Sequence, residues 1–224
     1  MVNCSGHSHD HHDHTDDDEG VSLREYIDIA QVYCLNESRL GAGKSVLKSY
    51  EDRMTSEPSL QCNYDEDDRP ELLFHIPFTE AVAIKFLSIE SSSSESNNTS
   101  APKSVKVFSN RADLDFDTAR EVKADMEIEL VPPSHFGDGT IDYPLRPAGR
   151  FQSCSTITLY FGDNFAYNAE EEICAAPTEI TYVGFKGKGT KVKRAAVEAV
   201  YETRGMKKDH KVHGDEYGVG KFIG

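Results

Sequence analysis

An all-β fold, a β-sandwich jelly roll with long loops, is what this sequence predicts, and three observations carry the prediction. Apolar and polar side chains alternate with a period of two in several short runs, as expected of strands with one buried face. Clusters of Pro, Gly, Asn and Ser separate the runs. Roughly eight or nine such runs, with few stretches of helical spacing, indicate two packed layers of strands.

Residues 1–20 hold His7, His9, His11, His12 and His14 among aspartates, followed by Asp16, Asp17, Asp18 and Glu19. So little apolar surface does not offset the entropy of ordering, and a disordered arm is expected there. From Val21 the pattern changes, and Tyr26, Ile27, Ile29, Val32 and Tyr33 suit either a short strand or a helical turn. Leu72, Phe74, Ile76 and Phe78 alternate with Leu73, His75 and Pro77, which predicts a half-buried strand that ends, or lies on an edge, at Pro77. Residues 81–89 are apolar on both faces and read as a central strand. The Ser-rich segment 91–101 is expected to be a mobile loop between neighbouring strands of one sheet. Val105, Val107 and Phe108 mark the next strand, and Met126, Ile128, Leu130 and Val131 another, halted by Pro132 and Pro133. Thr156, Thr158 and Tyr160 alternate with Ile157, Leu159 and Phe161. Residues 180–185 and 192–201 complete the set, although 195–200 also reads as helix.

The chain has 224 residues and a mass of 24.9 kDa, which fits one domain once the polar ends are set aside. No apolar run reaches the roughly 18 residues of a membrane span. The N-terminus has neither a basic nor an apolar signal region, so a cytoplasmic and nuclear protein is expected. Five cysteines, Cys4, Cys34, Cys62, Cys154 and Cys174, are widely spaced without a Cys-x-x-Cys pair, which argues for reduced thiols and against a redox motif. In such a compartment the glycosylation-like triplets at Asn36, Asn97 and Asn98 are silent. The net charge is −15, yet from Phe185 onward 10 basic residues face 5 acidic ones. An acidic whole opposes nucleic-acid and anionic-membrane binding. Lys186, Lys188, Lys191, Lys193 and Arg194 form the local exception and read either as an edge strand guarded by lysines or as a patch that docks a partner.

Other strings carry weaker chemistry. Gly41-Ala42-Gly43-Lys44-Ser45 imitates the end of a phosphate-binding loop, but Ser38 stands where the first glycine belongs. Asp65-Glu66-Asp67-Asp68 lacks the alternating ligands and central glycine of a calcium loop. His75 and His135 have no nucleophile or metal ligand at a useful spacing. Arg150-Phe151-Gln152 and Gly162-Asp163-Asn164-Phe165 read as turn chemistry beside strands. The His-rich arm suits weak Zn, Ni or Cu binding without a fixed geometry.

Several segments, in order and spacing, resemble the PITH domain family in its stand-alone form. They are Cys34-Leu35-Asn36-Glu37-Ser38, Glu71-Leu72-Leu73-Phe74-His75-Ile76-Pro77-Phe78, Pro102-Lys103-Ser104-Val105-Lys106-Val107-Phe108, Asp115-Phe116-Asp117, Arg150-Phe151-Gln152 and Tyr182-Val183-Gly184-Phe185-Lys186-Gly187. The start Gly6-His7-Ser8-His9 and the tail Asp209-His210-Lys211-Val212-His213 fit as well. The resemblance implies a galactose-binding-domain-like jelly roll over residues 21–203, between the arm 1–20 and a tail 204–224. It implies a non-enzymatic protein-interaction module, monomeric and without cofactor, whose partner is the 26S proteasome through its regulatory particle. No thioredoxin module is present, so the reductase activity of the fused relatives does not transfer. Gly189 stands where relatives often carry Trp. Docking is expected at loops of one end together with Lys186, Lys188, Lys191, Lys193, Arg194, Asp209, His210 and His213. Two rival readings are a small-ligand or carbohydrate binder, with Tyr143, Phe165 and Tyr167 in plausible loops though the chain has no Trp, and a metal-binding protein acting through the His arm and thiols.

Overall fold

The computed structural model describes residues 20–63, 69–91, 98–133, 140–168, 170 and 173–193. All of them fall in the compact unit Met1–Arg194; the second unit, Ala195–Gly224, lies outside the described residues. The described strands in chain order are β1 (Val21–Ser22), β2 (Tyr33–Leu35), β3 (Leu60–Gln61), β4 (Leu72–Glu90), β5 (Ser104–Ser109), β6 (Met126–Glu129), β7 (Asp142–Pro144), β8 (Cys154–Phe161), β9 (Tyr167–Asn168), β10 (Ile173–Cys174), β11 (Glu179–Ile180) and β12 (Tyr182–Lys193). Two short helices, α1 (Ala42–Ser45) and α2 (Phe116–Glu121), lie between strands.

The long strand β4 belongs to both layers of a β-sandwich jelly roll. Its first part, residues 72–77, pairs with β8 on one side, and residues 73–75 pair with β2 on the other. Its second part pairs with β12 along residues 80–90 and with β7 at residues 86–88. The register against β8 jumps between Pro77 and Val82, so the ladder breaks where the strand passes from one layer to the other. One layer therefore runs β2-β4-β8-β5-β6, and the other β7-β4-β12-β1, with every strand pair antiparallel. A strand end or an edge was expected at Pro77. Instead Pro77 precedes the crossing; its carbonyl accepts the Asp28 amide, so its nitrogen faces away from β8, on the side where the β2 ladder has ended at His75, and no ladder bond is lost.

Leu72, Phe74, Ile76, Phe78, Val82, Ile84, Val107, Ile157, Leu159, Phe161 and Phe185 are all nearly fully buried in the central core. Each such side chain contributes about 1.5–3 kcal/mol on burial. Over residues 72–78 the opposite face of β4, with Leu73, His75 and Pro77, was expected to be the exposed side of a half-buried strand. It is covered too, because Leu73 joins Phe108, Leu114, Ala119 and Tyr160 in a second cluster under α2. That helix is started by Asp115, whose side chain accepts the Thr118 amide at 2.8 Å, a cap worth about 1 kcal/mol.

Other expectations fare unevenly. The 91–101 segment joins strands of one sheet that are not neighbours, since β8 lies between β4 and β5. The ambiguous stretch after Val21 is mixed: β1, two 3-10 turns at Arg24–Tyr26 and Ile29–Gln31, then β2. The run 180–185 is divided at Thr181, and β11 turns away to pair with β3. The alternative helix at 195–200 lies outside the described residues.

Candidate interaction surface

The motif Cys34 to Ser38 is a brace. Asn36 takes a left-handed backbone, φ 65°, and its side-chain amide donates to the Glu71 carbonyl at 2.8 Å. The Asn36 carbonyl accepts the Asn63 amide at 2.9 Å, and the Ser38 amide donates to the Gln61 carbonyl at 2.8 Å. Glu37 turns its carboxylate onto the start of α1, accepting from the amides of Gly41 at 2.6 Å and Gly43 at 2.8 Å. The glycine-rich string thus holds an anion after all, the chain's own carboxylate, which satisfies amides that a helix start leaves open.

This brace fixes the edge of a layer. Among the described strands β2 pairs only with β4. Cys34 points inward, while Tyr33 and Leu35 are 41% and 37% exposed, and Leu40, at the turn before α1, is 97% exposed. Ile29 adds a fourth exposed apolar side chain. Tyr33 stacks on His75 with ring centroids 4.8 Å apart, and His75 is buried with Nδ1 3.0 Å from the Thr158 hydroxyl. His75 is a packed strand residue on the reverse face.

Of the basic residues expected to guard an edge strand or dock a partner, Lys186 is engaged within the fold. Lys186 lies across the Tyr50 ring, 4.7 Å from its centroid, and pairs with Asp142, which also accepts the Ser88 hydroxyl at 2.5 Å. Its ammonium is held above the usual lysine range by Asp142 and Tyr50, against an opposing effect of burial. At this point β12 is not an edge, because β1 covers Lys186 and Gly187. Lys188 is exposed. Lys191 and Lys193 lie on the backbone of β12 with side chains outside the described residues, as are Arg194, Asp209, His210, His213 and the arm histidines His7, His9, His11, His12 and His14. Asp65-Glu66-Asp67-Asp68 and His135 fall there too.

Near Lys186 sit groups that are far apart along the chain. Arg53 also lies over the Tyr50 ring, 4.0 Å from its centroid, and donates to Thr140 at 2.9 Å. Tyr182 has its hydroxyl pushed up to about 12, chiefly by burial. Glu90 is buried with Oε1 unpaired among the described residues. A second polar knot lies under α2: buried Glu71 accepts Arg120 through both oxygens, at 2.9 and 2.6 Å, and the Tyr160 hydroxyl at 2.7 Å. Burial and Glu71 raise the Tyr160 phenol. Partners 44 to 89 residues apart leave no local signal.

Cys34, Cys62 and Cys154 are buried thiols, none of them in a disulfide. Burial pushes the Cys154 thiol up to about 12 and the Cys34 thiol well above its ordinary value, so both are packed thiols and weak nucleophiles. Among the described residues no group of His, Cys, Asp and Glu is placed to hold a metal. Of the aromatics proposed for sugar stacking, Tyr143 is buried and its hydroxyl accepts the Val131 amide at 3.0 Å. Phe165 is 43% exposed above a groove of about 630 Å³ with Lys103, Ser104, Glu127, Glu129 and Asp163. Tyr167 lines an adjoining groove of about 310 Å³ with Arg69, Lys106 and Arg120. At Gly189 an added Cβ meets the Tyr26 ring at 2.8 Å; an aromatic from the first turn occupies the space beside this backbone.

The PITH domain family model matches residues 13–205. A PITH domain-containing protein of Drosophila melanogaster is 37% identical over 229 aligned positions, covering 97% of this chain and 98% of the relative. PITH domain-containing protein 1 of Homo sapiens is 30% identical and covers 87% of this chain and 82% of its own length. Among solved structures, the family 32 CBM from C. perfringens NanJ in complex with galactose aligns with a TM-score of 0.48 and 6% identity over 74% of this chain and 97% of that one.

Proposed function

This chain belongs to the PITH domain family, and from that premise we propose a non-enzymatic protein-interaction module that associates with the 26S proteasome through its regulatory particle, in cytoplasm and nucleus. The observation that carries the reading is the exposed apolar strip on the β2 edge, Tyr33, Leu35 and Leu40, set beside the brace that the family motif builds. Exposed apolar side chains on a rigid edge are what a docking surface offers, whereas the buried polar knots are engaged internally. Lys188 contributes a charge that orients the encounter. Lys186 does not, being tied to Asp142.

Affinity purification of the full chain from cell extract tests the partner, and Leu40→Glu with Leu35→Glu tests the surface. The expected result is recovery of regulatory-particle subunits by the parent and their loss with the double variant at an unchanged melting temperature. Recovery without any proteasome subunit overturns the partner assignment. A second reading, sugar binding, draws on the exposed Phe165 ring beside Glu127, Glu129 and Asp163. Titration with galactose against Phe165→Ala decides it: heat that disappears in the variant supports the reading, and no heat with the parent removes it.

A further inference from the structure

A groove of about 540 Å³ opens where the end of β5, the 123–125 segment and the 147–150 turn meet, and its charge is opposite to that of the chain. Arg111, Lys123 and Arg150 line it against a single carboxylate, Asp125, with Ser109 and Pro147, in a protein of net charge −15. That carboxylate is engaged. Asp125 Oδ2 accepts the Ser109 amide at 2.8 Å and the Ser109 hydroxyl at 2.7 Å, while Oδ1 stands 3.5 Å from Arg150. Arg111 forks onto exposed Asp113 at 2.7 and 3.0 Å. Lys123 is exposed and has no ion-pair partner among the described residues.

The frame around these cations is firm. Asn110 adopts a left-handed backbone, φ 55°, donates its side-chain amide to the Ser153 carbonyl at 3.0 Å and accepts the Ser155 amide at 2.7 Å. The Arg111 carbonyl accepts the Thr158 hydroxyl at 2.6 Å. The loop carrying Arg111 is thereby tied to β8, and Arg111 sits on a position the fold holds in place.

We propose that this groove binds an extended acidic peptide segment of a partner protein, its carboxylates pairing with Lys123 and Arg150 and its flank passing Arg111. In an extended strand, alternate residues face one side about 6.8 Å apart, so a run of carboxylates presents repeated negative charge to the cationic side of the groove. Exposed pairs are individually weak, which favours a run of carboxylates over a single one. A long nucleic acid is disfavoured, because its many phosphates meet the −15 of the whole chain, whereas a short peptide feels mainly charges within a Debye length of about 8–10 Å. The inference stands on the groove's own charges and not on the proteasome reading.

Fluorescence anisotropy with the full-length protein and a labelled hexaglutamate peptide tests it, with hexalysine and a Gly-Ser peptide for comparison. Binding is expected for hexaglutamate alone. The double variant Lys123→Glu with Arg150→Gln should weaken it about tenfold or more, the loss of two exposed charge contacts, at an unchanged melting temperature. Lys44→Glu, beside β2, controls for net charge and should change affinity less than about twofold. The proposal is overturned if hexaglutamate does not bind, if the double variant binds as the parent does, or if Lys44→Glu weakens binding as much as Lys123→Glu alone.

Discussion

Glu71 is a charge kept under cover, 4% exposed, and it is tolerable only because Arg120 and Tyr160 together supply three donors. Removing one partner leaves a buried carboxylate short of compensation. Since the Arg120 side chain is 38% exposed, water restores part of the loss, and Arg120→Ala is expected to destabilise by about 2 kcal/mol. Arg120→Lys should recover only part, because an ammonium does not reproduce the fork; urea midpoints of the two variants measure this. Glu90 presents the opposite case. It is buried, Oε1 is unpaired, Thr140 and Arg53 favour its charged form, and Asp142 together with the larger effect of burial raises its carboxyl above the ordinary value of 4.5. The folded state therefore binds this proton more tightly than the unfolded state, so its stabilising contribution is complete below the unfolded value and is lost as pH rises through the folded one. Glu90→Gln removes the titration. Its stability relative to the parent should improve as pH rises above the ordinary carboxyl value of 4.5, and a difference independent of pH in paired urea titrations contradicts the account.

At the scale of elements, β12 shows how closely two backbones approach. An added Cβ at Gly187 lies 1.9 Å from the Ala83 carbonyl oxygen, beside a register shift between Lys186 and Gly187. No rotamer relieves a clash with backbone. Gly187→Ala is expected to cost about 3 kcal/mol and to raise hydrogen exchange at residues 84–87 of β4, while Gly149→Ala, open within 4 Å, should leave both measurements near the parent. The strands most legible in the sequence, such as β8, are those long enough for their alternation to be counted. Two-residue strands such as β3 and β11 have no period to detect. The reverse face of β4 around Leu73 was misjudged because its cover, Ala119 of α2, arrives from more than 40 residues later. The tie of Lys186 to Asp142 was illegible for a like reason: Asp142 reaches it only through the pairing of β7 and β12 with β4. The β2 edge strip and the groove at Arg111 were likewise invisible, since exposure and juxtaposition are properties of the assembled layers.

For the molecule as a whole, sharing one strand between the layers makes their stabilities inseparable. Ile76 lies in the part of β4 paired with β8, and Ile84 in the part paired with β12, and both enter one continuous core. If either layer opened alone, the other would expose that face of β4 to water, at about 25 cal/mol per Å² of apolar surface. Separate melting is therefore unfavourable, and the core should unfold in one step, as small single domains usually do. Ile76→Ala and Ile84→Ala are each expected to lower stability by about 3 kcal/mol with an unchanged denaturant slope, because the surface exposed on unfolding stays the same. Equilibrium urea unfolding followed by far-ultraviolet circular dichroism and by tyrosine fluorescence provides the check. Coincident single transitions in both variants support the shared strand as the unit of cooperativity; a second transition in one variant would mean that its layer comes apart alone, and β4 would then be a hinge between two independent sheets.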